Sequence, residues 1–126
     1  MANPPLVLAS SSPRRLMLLA QLGIVPARVT SPDIDESPRR GELPRPYAER
    51  MAVSKAHTAK ESDAFVLAGD TVVAAGRRIL PKAETEQQAR QCLDLLSGRR
   101  HRVLTAIALI APDGRCLQRL SESVVT

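Results

Sequence analysis

The side chains best suited to chemistry in this chain gather in a few short stretches. In LVLASSSPRRLMLLAQLG, residues 6–23, Ser10, Ser11 and Ser12 lead into Pro13 and the guanidinium groups of Arg14 and Arg15. A strand, a serine turn and a helix start in that order collect free backbone N–H groups and the positive end of a helix dipole, a setting for an anion and most naturally a phosphate. The plain alternative is an ordinary Ser-Pro helix start with solvated arginines. Two cations at a helix N-terminus oppose the dipole, however, which favours a negative partner beside them.

Carboxylates and lysines supply the rest. Asp33, Asp35 and Glu36 fall within four residues of a polar loop. Such a cluster is either solvated or gathered around a cation. Lys55 lies four residues after Met51 and eight after Tyr47, on or beside an apolar helix face, so it either snorkels to solvent or points its ammonium at an anion in a cleft. Asp70 sits between the apolar runs Phe65 to Ala68 and Val72 to Ala75, and burying a carboxylate there requires a partner or a metal. Gly69-Asp70-Thr71 reads either as a surface bulge or turn, or as a catalytic or metal-binding carboxylate at a strand end. Lys82 follows in a short exposed connection, and periodicity assigns it no role.

Elements to position these groups can be read from patterning. Leu6 to Leu8 suit a buried strand, Ser12 is a favoured N-cap, and Pro13 and Gly23 fit the first position and the left-handed end of a helix. Leu16, Leu18, Leu19 and Leu22 give that helix an apolar stripe. A second strand is expected over Pro26 to Thr30, and a second helix from Pro46 to about Glu61 with Tyr47, Met51 and alanines 48, 52, 56 and 59 inward. Gly76 marks a turn before Arg78 to Leu80. Thr85 opens a third helix with a capping box to Gln88, striped by Ala89, Cys92, Leu93 and Leu96 and ended by Gly98. His101 to Ala111 is the strongest strand, and Pro112-Asp113-Gly114 turns into a last one from Cys116 to Val125. The fold expected is α/β, a mixed β-sheet flanked by helices. Because the chain stops inside an apolar strand, its domain is expected to be incomplete at the C-terminus.

Composition narrows the function. A length of 126 residues, 44% of them hydrophobic, suits one domain with one core. One Phe, one Tyr and no Trp argue against base stacking on aromatic platforms. The net charge of +5 is spread along the chain, which fits a phosphorylated small molecule better than nucleic acid. Cys92 and Cys116 have no metal or disulfide spacing, so a reducing, cytoplasmic setting is expected. Neither a signal peptide nor a membrane span is expected. GxGxxG and GxxxxGK are both absent, so a phosphate must be held by other means.

Taken together, LASSSPRR at 8–15, DIDE at 33–36, SKA at 54–56, AGDTVV at 68–73, LPKA at 80–83 and LSGRRHRVLTA at 96–106 resemble the Maf family of nucleoside triphosphate pyrophosphatases. The resemblance covers nearly the whole chain and implies a fold like that of the Maf and inosine-triphosphatase enzymes. It also implies hydrolysis of a nucleoside triphosphate to the monophosphate and pyrophosphate with a divalent cation, Mg2+ or Mn2+. On matched positions, Ser10 and Arg15 would hold phosphate oxygens, and Lys55 and Lys82 would neutralise the triphosphate. Glu36 would join Asp70 at the metal, with Asp70 the proton acceptor. Arg14 and Thr71 match positions that set base preference in the branch acting on dTTP and UTP, whereas a branch acting on 7-methyl-GTP carries other residues there. The resemblance implies a further glycine-rich segment with a base-recognising glutamine, in keeping with a domain expected to be incomplete at the C-terminus. The expected partner is thus a nucleotide, with a homodimer left open. The competing readings are a catalytically silent nucleotide- or partner-binding chain and a basic nucleic-acid module whose affinity would fall steeply with salt.

Overall fold

A computed structural model describes residues 4–10, 12–80 and 100–125. Lys82, Cys92 and the helix expected from Thr85 lie outside the described residues. The elements run β1 (Leu6–Ala9), α1 (Pro13–Gln21), β2 (Arg28–Thr30), α2 (Pro44–Thr58), β3 (Phe65–Ala75), β4 (Arg78–Ile79), β5 (His101–Ile110) and β6 (Cys116–Val125). These six strands form one mixed sheet in the order β2-β1-β3-β5-β6, with β4 pairing on β3. β1 is parallel to both β2 and β3, and the remaining pairs are antiparallel.

Parallel neighbours need a crossover, and α1 and α2 provide two of them. The first carries the chain outward from β1 to β2, and the second carries it back past β1 to β3. Because such crossovers share one hand, reversing direction puts the two helices on opposite faces of the sheet. α2 covers the face formed by Val66, Ala68, Val72 and Ala74 of β3 and Leu104, Ala106, Ala108 and Ile110 of β5. It meets them with Tyr47, Ala48, Met51, Ala52 and Ala56, the periodic positions of its inward side. The alanines lack bulk, so helix and sheet approach closely. Asp70 shares the parity of this buried set. A one-residue slip of β3 would turn Val66, Ala68, Val72 and Ala74 to the other face along with Asp70, so packing of the core fixes where the carboxylate points.

Several expectations are corrected. α2 begins at Pro44, not Pro46, and ends at Thr58, because Pro44 takes the first helical turn where its missing N–H costs nothing. Gly69-Asp70-Thr71 forms neither a turn nor a strand end, since β3 runs through it unbroken. Ser12 occupies the N-cap position of α1 but caps nothing with its side chain. Its N–H donates to Ser10 Oγ instead, at 3.2 Å. The leucine stripe of α1 is not buried among the described residues: Leu16, Leu18 and Leu22 are all exposed, and the helix meets the sheet through Arg15. Gly23 does take the left-handed conformation past the helix end, with φ of 77°. Among the described residues no helix is long and apolar enough to cross a membrane.

Candidate functional site

A step in the sheet creates the site. β1 pairs with β3 from Leu6 opposite Phe65 to Ala9 opposite Ala68 and then ends, while β3 continues to Ala75. On that same edge β4 resumes pairing only at Ala74 and Ala75. The gap leaves Gly69, Asp70 and Thr71 bordering a notch at the carboxyl end of β1. It is also where the crossovers reverse direction, the position at which open α/β sheets take ligands. A cleft of about 760 Å³ opens here, lined by Ser10, Arg14, Arg15, Glu36, Lys55, Asp70, Thr71 and Thr105, among others. That volume suits a nucleotide-sized ligand.

From the α1 side, Arg15 spans the notch. Its Nη1 donates to Ser10 Oγ and its Nη2 to Thr71 Oγ1, each at 3.0 Å. Ser10 is buried at the end of β1, so the guanidinium is tied to both strands. Burial lowers the Arg15 pKa, and the nearby Asp70 carboxylate opposes that shift. The group remains a cation, since arginine does not deprotonate in proteins. Arg15 lies flat over the strand only because residue 69 has no side chain: a Cβ there would stand 3.0 Å from Arg15 Nε and 3.3 Å from the carbonyl oxygen of Ala106. Gly69→Ala is therefore expected to push the guanidinium out of place and, because the Ala106 carbonyl belongs to the sheet, to lower stability by about 1–3 kcal/mol. Thermal unfolding of the variant beside wild type checks this.

From the α2 side, Lys55 reaches in. Its Nζ donates to Asp70 Oδ1 at 2.9 Å and lies 3.1 Å from Glu36 Oε1. Asp70 is only 1% exposed. A carboxylate so buried is tolerated because the ammonium offsets its lost hydration. The position of Lys55, one helical turn beyond Met51, puts it at the rim of the core with its head in the cleft.

Glu36 is aimed by a clamp that joins its loop to α2. The Tyr47 hydroxyl donates to the Glu36 carbonyl oxygen at 2.5 Å. Arg50 donates through Nε and Nη2 to both carboxylate oxygens of Glu42, at 2.8 and 2.7 Å, and through Nη2 to the Ser37 carbonyl at 3.1 Å. These bonds from Arg50 pull the Glu42 pKa down to about 2, so the clamp stays charged at any pH near neutrality. Asp35 is used within the loop, where its Oδ1 accepts the Ser37 N–H at 3.0 Å and its pKa is lowered as a result. Of the three clustered carboxylates, Glu36 is the one among the cleft residues, and Asp33 is exposed.

The cleft thus brings together Ser10, Arg14, Arg15, Glu36, Lys55, Asp70 and Thr71. Lys82 lies outside the described residues. Patterning singles out neither Thr105, which faces Thr71 across β3 and β5, nor the Tyr47 and Arg50 clamp. Strand pairing and long-range contacts reveal these, and local spacing does not. Glu36 and Asp70 offer carboxylate oxygens, a donor set for a hard cation such as Mg2+ or Mn2+. Among the described residues no three His, Cys, Asp or Glu side chains converge. A pair of carboxylates leaves other positions to phosphate oxygens and water, which is how magnesium is commonly held beside a nucleotide.

Comparison with known proteins gives matching results. The family described as Maf-like protein matches residues 5–126. The dTTP/UTP pyrophosphatase of Caulobacter vibrioides is 62% identical over 126 residues, covering 98% of this chain and 65% of that protein. That of Novosphingobium aromaticivorans is 60% identical over 125 residues, covering 98% of this chain and 62% of its own length. The chain therefore spans a little under two thirds of these curated relatives. Among solved structures, a HAM1 protein from Coxiella burnetii aligns with a TM-score of 0.59 at 20% identity, covering 94% of this chain and 69% of that one. A nucleoside-triphosphatase, dITP/XTP pyrophosphatase, from Mycobacterium abscessus aligns at 0.57 and 18% identity, over 94% of this chain and 72% of that one. At those identities the likeness is one of fold.

Proposed function

The chain belongs to the Maf family, and from that membership and the cleft we propose that it is a nucleoside triphosphate pyrophosphatase acting on dTTP and UTP, the substrates named for its relatives. The observation that carries this reading is the meeting, in one notch, of a cation held for an anion with a buried carboxylate beside it. Arg15, fixed by Ser10 and Thr71, and Lys55 carry the charges that bind the triphosphate. Lys82 is assigned a second neutralising role by its family position. Arg14, exposed at the cleft wall, and Thr71 bear on the base.

Concentrated positive charge lowers the repulsion that an incoming nucleophile meets at a phosphorus surrounded by anionic oxygens. Asp70 accepts the proton of a water as its oxygen bonds to the α-phosphorus. The bond to the bridging oxygen breaks, and pyrophosphate leaves with the nucleoside monophosphate as second product. Glu36 and Asp70 would hold a divalent cation, which supplies charge neutralisation at the phosphates and acidifies bound water. Burial keeps Asp70 oriented, and the pair with Lys55 keeps its position when the cleft is wet.

Incubation with dTTP or UTP and Mg2+ should release pyrophosphate and monophosphate in equal amounts, with no orthophosphate. Orthophosphate as the first product, or no product from any nucleoside triphosphate, would overturn the proposal.

A further inference from the structure

Antiparallel pairing sets Thr71 of β3 directly opposite Thr105 of β5. Residues facing each other in this way project from the same side of the sheet. Both line the cleft, and their hydroxyl oxygens are 3.3 Å apart. The distance alone leaves the direction of that hydrogen bond open. Arg15 biases it. A guanidinium has donors and no acceptor, so Thr71 Oγ1 accepts from Arg15 Nη2 at 3.0 Å. Accepting a charged donor polarises the Thr71 hydroxyl and makes its own proton the better one to pass on. Thr71 Oγ1 keeps a second lone pair, so the charged donor favours, without requiring, the order Arg15 to Thr71 to Thr105. In that order Thr105 Oγ1 accepts, and its own proton is left for a group in the cleft that the side chain lines.

We propose that Thr105 is a further substrate-contacting residue, its hydroxyl donating from the end of this chain of bonds to an acceptor oxygen of the bound nucleotide. The inference rests on reading the cleft as a nucleotide site. Acceptor oxygens of this kind occur both on the phosphates and on the nucleoside half, where uracil and thymine carry ring carbonyls. Thr105 thereby extends the set of polar contacts from the Ser10 and Arg15 corner across β3 to β5.

Calorimetric titration of wild type, Thr105→Val and Thr105→Ser with inorganic pyrophosphate and with uridine monophosphate tests the assignment, thermal unfolding serving as the control for folding. Loss of one neutral hydrogen bond should weaken binding about three- to tenfold in Thr105→Val and leave Thr105→Ser near wild type. Weakening with pyrophosphate places the acceptor on the β- or γ-phosphate, and weakening with the monophosphate alone places it on the nucleoside monophosphate half. Equal binding of both probes by Thr105→Val and wild type would overturn the proposal. So would equal damage in Thr105→Ser, which would assign the effect to the lost methyl group. If Thr105→Val does not fold, Thr105→Ala is compared with Thr105→Ser by the same two criteria. Failure of wild type to bind either probe would count against the nucleotide reading of the cleft, and it would be evident before any variant was compared.

Discussion

Asp70→Asn is expected to lower pyrophosphate release from UTP by about 10²- to 10⁴-fold, the usual contribution of a positioned general base. Nucleotide binding measured without metal should be retained or slightly tightened. The reason is electrostatic: Asp70 is the carboxylate at the centre of the notch, next to Lys55 and near Arg15, and its charge opposes a triphosphate there. Asparagine keeps the shape and an oxygen for Lys55 but cannot take up a proton. Steady-state rates combined with calorimetry separate the two effects. Parallel loss of binding and turnover would mean that Asp70 serves the architecture of the cleft and not the chemistry.

The second large effect concerns stability. Lys55→Met removes the ammonium that stands 2.9 Å from Asp70 Oδ1 while keeping the bulk of the side chain. Asp70 has a side-chain exposure of 2% and Lys55 of 14%, so the little water that reaches the carboxylate replaces the lost partner poorly. Breaking one side of such a buried pair costs about 3–5 kcal/mol. For a chain of this size that corresponds to a drop of about 10 °C or more in Tm. The contact between Lys55 and Glu36 adds little to this figure, because Glu36 is 46% exposed and well-hydrated pairs contribute at most about 1 kcal/mol. The double variant Lys55→Met with Asp70→Asn should recover much of the loss, since the stranded charge is then gone. Unfolding by urea or heat of the two single variants and the double one measures the coupling. A double variant no more stable than Lys55→Met would exclude the buried pair as the source.

Much of the corner at Ser10 to Arg15 is legible in the amino-acid sequence alone. Its punctuation is local: a strand, a Ser-Pro helix start and a left-handed glycine each carry a backbone reason that acts over a few residues. Lys55 is legible for the same reason, through its spacing from Tyr47 and Met51 on one helix face. Gly69-Asp70 is not. Locally a glycine and an aspartate between two apolar runs look like an interruption, but here each answers to a distant group. Gly69 yields room to Arg15, and Asp70 faces Lys55. Tertiary contacts thus override the β-propensity of both residues. Thr105 becomes visible only through the register of β3 against β5. Tyr47, whose spacing marks it as a core residue alone, also holds the loop that aims Glu36, by a bond to a carbonyl that no periodicity could locate. In α1 the mismatch runs the other way: a regular leucine stripe suggests a buried face, while the described contact with the sheet is made by a charged side chain.

The central claim is that the Arg15 corner and Asp70 act on one triphosphate from two sides of the notch. A crystal structure with Mn2+ and the non-hydrolysable α,β-methylene analogue of UTP tests it most directly. The account predicts phosphate oxygens against Arg15 and Lys55, with Asp70 facing the α-phosphorus across space for one water. A triphosphate bound away from the end of β1, with Asp70 out of reach of any phosphorus, would contradict it.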